Sequence, residues 1–185
     1  MKVVNTGLMQ DGIPQPYHIR TERPEDFGAI SALVRGAFAS AAHSDGDEHL
    51  LVSRLRDTDE YIPGLSLVAV WDNIVVGFVM FSEVRIGGQR AVALAPVAVS
   101  PDVQRKGIGK LLIADGHKIA VDLGYTCSVV LGYPEYYSKF GYRPASGYGI
   151  VPPLEVPDEY FMACQLGDKS TMPQGAVQYS KAFGL

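Results

Sequence analysis

The pattern of hydrophobic and polar positions changes period several times along this chain. Phe27, Ile30, Val34, Ala37 and Phe38 fall at helical spacing, which predicts an amphipathic helix with those five side chains on its buried stripe. Pro24 suits its first turn, and Glu25 and Asp26 face the positive end of its macrodipole. After a loop of small polar residues at 40–46, Asp47 predicts the cap of a second helix, with Leu51 and Leu55 on its inner face. From Leu65 the period becomes that of strands. Residues 67–71, 74–81 and 91–99 are β-branched or apolar runs, bounded by Asp72 with Asn73 and by Gly87 with Gly88. Those pairs carry tight-turn chemistry, so the runs predict an antiparallel meander.

The helical period returns at 107–123, with Ile108, Leu111, Leu112, Ile119 and Leu123 as its stripe and Gly124 as its stop. Residues 126–131 predict a buried strand and 134–140 a short helix. Gly141, Tyr142 and Arg143 turn into another strand, and 160–166 form the last. With a short strand at 17–20, the order is β-α-α-β-β-β-α-β-α-β-β. That is an α/β protein with a mixed sheet and helices on both faces.

Composition narrows the classes. The 185 residues suffice for one domain, 1–185, with a core over 17–166, a turn-rich leader at 1–16 and a tail at 167–185. At 47% hydrophobic and 19% charged, the chain buries a full core, which excludes intrinsic disorder. A net charge of −4 argues against broad binding to nucleic acid. Two cysteines, Cys127 and Cys164, are too few for a disulfide framework and lack the clustered partners of a metal site. They read as free core thiols in a reducing cytoplasm. No secretory signal opens the chain, and Trp71, Asp72 and Asn73 break its longest apolar tract, so no membrane span is expected. His18, His49 and His117 have no supporting constellation and read as structural or exposed.

The segment richest in chemistry runs from Val97 to Leu112. A strand enters a short loop whose glycines, Gly107 and Gly109, sit at the mouth of an amphipathic helix. Free amides at a helix N-terminus bind an anion, and glycine lets it approach the backbone. Arg105, Lys106 and Lys110 add positive charge at the same spot in an otherwise acidic chain. This has the make-up of a diphosphate cradle. The dinucleotide fingerprint fails at Leu112, where a third glycine belongs, and the P-loop fails at Gln104 and Leu111. An ordinary strand–helix turn with surface lysines is the alternative reading of these six residues.

Gln104, Arg105, Lys106, Gly107, Ile108 and Gly109 together resemble the Q/R-x-x-G-x-G/A signature of the GNAT superfamily of N-acetyltransferases. Residues 131–142 resemble a second landmark of that superfamily, an aromatic residue (Tyr137) four positions before a Gly-aromatic pair (Gly141 and Tyr142). Residues 94–99 resemble its fourth strand. The element order matches from Tyr17 to Leu166, and the likeness is closest to the bacterial YhbS-like branch.

The resemblance implies a GNAT acyl-CoA N-acyltransferase fold: a mostly antiparallel sheet whose fourth and fifth strands splay apart. It implies acetyl-CoA as cosubstrate and no metal. The pantetheine arm would lie along the fourth strand at Val97, Ala98 and Val99, and the diphosphate at Gln104, Arg105, Lys106, Gly107, Ile108, Gly109 and Lys110. Pro96 supports the splay independently, because a proline inside a strand marks a bulge or an edge. Tyr137 holds the position of the tyrosine that protonates the leaving thiolate. The implied acceptor is an amine of a small molecule or a protein. For the general base the candidates are Glu48, at the start of the second helix, Glu83, His43 and Asp45, with Glu48 taken as the base. The tail is a packing extension, or closes the acceptor cleft or a homodimer contact. A catalytically silent module that only binds or senses acyl-CoA is the rival function, separated from the enzyme by the acceptor-side base.

Overall fold

The structure, a computed structural model, describes residues 17–39, 46–168 and 171–185. The leader, His43 and Asp45 lie outside the described residues. Strand β1 (Tyr17–Thr21) is followed by a 3-10 turn (Pro24–Asp26) and helices α1 (Phe27–Phe38) and α2 (Glu48–Arg56). The meander is β2 (Tyr61–Trp71), β3 (Ile74–Ile86) and β4 (Gln89–Val99). After it come α3 (Ile108–Asp122), β5 (Cys127–Leu131) and the one-turn α4 (Pro134–Tyr137). Four strands complete the chain: β6 (Arg143–Pro144), β7 (Ile150–Val151), β8 (Phe161–Gln165) and β9 (Gly175–Gln178).

Among the described residues nine strands join one sheet in the order β1-β2-β3-β4-β5-β8-β6, with β9 pairing both β3 and β7. The β4–β5 and β7–β9 pairs are parallel and the others antiparallel. Asp72 and Asn73 both have positive φ, 49° and 62°, as a two-residue primed turn between twisted strands requires. Alternation along β3 and β4 separates two layers. Phe81, Val92 and Leu94 pack against α3 with Leu112 and Ile113. Phe78, Met80 and Ala98 pack against α1 and α2 with Ile30, Val34, Val52 and Leu55.

Two features open the sheet where chemistry was expected. Val79 pairs with Val97 and Phe81 with Leu94, so Met80 alone faces both Ala95 and Pro96, a β-bulge. Strand β5 pairs with β4 only at Val92 with Ser128 and Ala93 with Val129. Beyond Ala93 the β4 edge therefore carries no β5 ladder, which is the expected splay.

Several expectations about faces need correction. Phe27 leaves the core stripe of α1 and is 36% exposed, its ring lying 3.8 Å below the Arg56 guanidinium. That cation–π contact replaces core burial. Asp26 serves the helix start, accepting from Arg23 N at 2.8 Å, and also pairs with Arg20 at 2.6 Å. Asp47 makes no side-chain cap to α2. On α3 the buried row is Ile108, Leu112, Ile113, Gly116 and Ala120, while Leu123 is 49% exposed. Gly116 sets this phase: any Cβ there would collide with the Phe81 ring, so the helix sits down on the sheet along that row. The strand expected at 141–143 is only Arg143–Pro144, and Tyr142 is a buried turn residue.

Residues 160–166 are not the last strand. Strand β9 adds to the free end of β3, pairing Arg85 with Gln178 and Ile86 with Val177. A 3-10 turn (Lys181–Phe183) then joins the core under α2, where Arg54 Nε donates to the Ala182 carbonyl at 3.0 Å. The tail is thus part of the packed fold.

Candidate active site

Helix α3 begins at a turn built from two left-handed residues, Arg105 with φ 64° and Gly107 with φ 85°. The second is the helix N-cap and offers no side-chain cap. The first intrahelical bond runs from Leu111 N to Gly107 O, so the amides of Ile108, Gly109 and Lys110 have no acceptor within the helix. Such amides carry the positive end of a 15-residue helix dipole.

The loop is tied down on its far side. Ser100 N donates to Val76 O at 2.9 Å, and Gln104 Nε2 donates to Val99 O at 3.1 Å. Tyr17 holds the Lys106 carbonyl at 3.3 Å, while the Lys106 ammonium stands 5.8 Å over the Trp71 ring. Of the seven residues expected at the diphosphate, Gln104 and Lys106 therefore brace the loop, and Arg105 and Lys110 are exposed cations beside the free amides. The side chains of Ile108 and Ala98 are buried, which leaves only their backbone groups for a ligand. Val97 and Val99 pack on the α3 side with Tyr137 and Phe140.

Pro134 starts α4, and its two tyrosines diverge. Their rings meet edge-on at 5.0 Å. The Tyr137 ring covers Gly132, where any Cβ would collide with it, and lies 5.8 Å from the Tyr142 ring. Burial, reinforced by Tyr136, pushes the Tyr137 phenol well above the usual tyrosine range. Tyr136 turns the other way. Its hydroxyl rests on Gly109, 2.6 Å from where a Cβ would stand, which the sequence spacing alone did not reveal.

Beneath Tyr137 lies a buried polar chain. Tyr142 Oη hydrogen-bonds Ser128 Oγ at 2.7 Å and His117 Nε2 at 2.9 Å, so His117 does have a constellation. Burial depresses the imidazole from 6.5 to about 4. The unfolded chain therefore takes up this proton first. Stability from the group is complete above pH 6.5 and is lost as pH falls toward 4, by about 3 kcal/mol in all. His117→Gln, which keeps a donor for Tyr142, is expected to flatten the pH dependence of the urea midpoint over that window. An unchanged slope would show that other groups govern it.

The carboxylates sort themselves. Burial raises the Glu83 carboxyl, but hydrogen bonds from Arg90 (2.7 Å) and Tyr125 (2.8 Å) outweigh it and hold the group below the usual range. Glu83 also sits across from Val92, roughly 10 Å along the strand from the bulge. Its carboxylate is thus engaged by Arg90 and Tyr125. Glu48 is the first residue of α2, in the layer that receives Ala98, and its Oε2 is enclosed without a hydrogen-bond partner among the described residues. Among the described residues no group of His, Cys, Asp or Glu is placed to hold a metal ion, and no helix is long and apolar enough to cross a membrane.

Known proteins resemble this chain in sequence and in fold. The family model described as Acetyltransferase (GNAT) family matches residues 29–142. The uncharacterized N-acetyltransferase YhbS of Escherichia coli K12 is 33% identical over 169 residues, 89% of this chain and 97% of the relative. The crystal structure of E. coli YhbS in complex with CoA superposes with a TM-score of 0.83 at 30% identity, covering 96% of this chain and 97% of that one. A GNAT family acetyltransferase from Brucella melitensis in complex with acetyl-CoA gives a TM-score of 0.76 at 36% identity, covering 90% and 97%.

Proposed function

The chain belongs to the GNAT family of acetyltransferases, and on that premise we propose that it transfers an acetyl group from acetyl-CoA to an amine of a small molecule or protein, by direct attack on the thioester. The observation that carries this reading is the uncapped first turn of α3, standing next to the unpaired edge of β4. The fit is good on its own terms. Three free amides and two exposed cations suit a diphosphate, and an open strand edge suits an amide-bearing arm. Relatives solved with CoA and acetyl-CoA support the same ligand here.

When bound, acetyl-CoA supplies an activated acetyl thioester. The amides of Ile108, Gly109 and Lys110 bind the diphosphate, with Arg105 and Lys110 adding charge, and Gln104 and Lys106 keep the loop in shape. Backbone groups of Val97, Ala98 and Val99 orient the arm along the bulged strand. Tyr137, kept protonated by burial, donates its proton to the departing sulfur. Glu48 takes a proton from the acceptor ammonium, and the amine so freed attacks the thioester carbonyl; the enclosed Glu48 oxygen, unpartnered among the described residues, supports that role. Cys127 and Cys164 are buried free thiols, Cys127 pushed up to about 12 by burial, which suits a reducing cytoplasm.

Incubation with acetyl-CoA and a panel of small amines and peptide N-termini, read by thiol release, tests the reading. Turnover with at least one amine is expected. Tight CoA binding with no turnover across the panel would make the protein a binding module instead.

A further inference from the structure

Tyr136 has no part in the reading above, yet its hydroxyl lies over Gly109 at the anion site. We propose that its hydroxyl is a hydrogen-bond donor to the diphosphate of the cosubstrate at the first turn of α3. The inference rests on the acetyl-CoA reading and adds to it a residue that binds the cosubstrate.

Three observations carry it. The hydroxyl lies over Gly109: a Cβ built there would stand 2.6 Å from the oxygen, 3.6 Å from Val99 Cγ2 and 3.9 Å from Tyr136 Cζ. One small volume thus adjoins the second residue of α3, the last residue of β4 and the phenol of α4. That is the corner a ligand crosses in passing from the α3 amides to the β4 edge. Tyr136 is 37% exposed, and no hydrogen bond engages its hydroxyl among the described residues. The ring itself is fixed, edge-on to Tyr137 at 5.0 Å and to Phe140 at 5.4 Å. An oriented phenol keeps its O–H available to an anion, and a donor aimed at a charged acceptor is worth more than a neutral pair.

The position also explains why residue 109 is glycine. A methyl group there would press on the hydroxyl, but against the bare ring of a phenylalanine it would meet Cζ at 3.9 Å, an ordinary contact. Neighbouring residues on a helical turn point about 100° apart, so Tyr136 and Tyr137 divide the work between the diphosphate end and the sulfur end.

The test is calorimetry with CoA on the wild type, Tyr136→Phe, Gly109→Ala and the double variant, with S-acetylpantetheine, which lacks the diphosphate, as a competing probe. Tyr136→Phe is expected to weaken CoA about tenfold, the scale of a lost hydrogen bond to a charged group, and to leave S-acetylpantetheine unaffected. With an active amine, KM for acetyl-CoA should rise while kcat at saturation holds within about twofold. Gly109→Ala should weaken CoA in the wild type, and much less when Tyr136→Phe is already present. Melting temperatures should match, because the ring and its two aromatic contacts remain. Wild-type affinity in Tyr136→Phe overturns the inference while leaving the acetyl-CoA reading intact. Equal losses for CoA and S-acetylpantetheine would assign the phenol to the arm and overturn it as stated. Failure of the wild type to bind CoA would overturn both readings.

Discussion

Tyr137→Phe is expected to lower kcat by roughly 10²–10⁴ while leaving CoA affinity and melting temperature close to wild type. The substitution keeps the ring that covers Gly132 and meets Tyr142 edge-on, so packing is preserved. It removes only a hydroxyl that burial holds in its protonated form. A proton donated as the sulfur leaves is felt in the transition state and not in the bound ground state, so the loss belongs in kcat. The contrast with Tyr136→Phe, whose loss belongs in KM, makes the pair diagnostic. Rates are best read as thiol release at saturating acetyl-CoA. A fall of less than about fivefold would show that water protonates the thiolate and that Tyr137 is there for packing.

A second large effect is expected at Gly107. Its φ of 85° disfavours most side chains, so the informative comparison is Gly107→Asp against Gly107→Asn. Both side chains tolerate the left-handed region and have nearly the same shape. They differ by one negative charge beside the α3 amides. Two unit charges about 4 Å apart repel by about 4 kcal/mol at an effective dielectric near 20, and exposure and salt reduce this. Aspartate is therefore expected to weaken CoA about a hundredfold relative to asparagine at low ionic strength, measured by calorimetry. Equal affinities in the two variants would mean that the diphosphate does not meet this turn.

Much of this arrangement is legible before any coordinates. The meander follows from two turn dipeptides, the bulge from Pro96 inside a strand, and the α3 cradle from two glycines among cations. Each is encoded within a few neighbouring residues. What escaped depends on contacts across the chain. The His117–Tyr142–Ser128 chain joins positions 25 and 14 residues apart, and nothing local to His117 announces it. Strand β9 is four residues between polar turns, and its partners on β3 lie some ninety positions earlier. The α3 stripe holds at Ile108, Leu112 and Ile119 and departs at Leu123, because a glycine, invisible to a hydrophobic stripe, decides which row descends onto the sheet. The same blindness hid Tyr136: its meaning comes from the empty side of Gly109.

The tail has a consequence for how the molecule comes into being. Two residues of the tail, Ala182 and Phe183, join Val52 and Leu55 in the layer under α2, where Arg54 also finds a carbonyl 128 positions away. A ribosome releases those residues after everything they cover. Until they emerge, α2 has no floor at that end, and the apolar side chains it shares with the tail stay wet. Contacts this distant in sequence also carry a large loop-closure cost and form late. The nascent protein therefore carries an incomplete second layer until residues 182 and 183 have emerged.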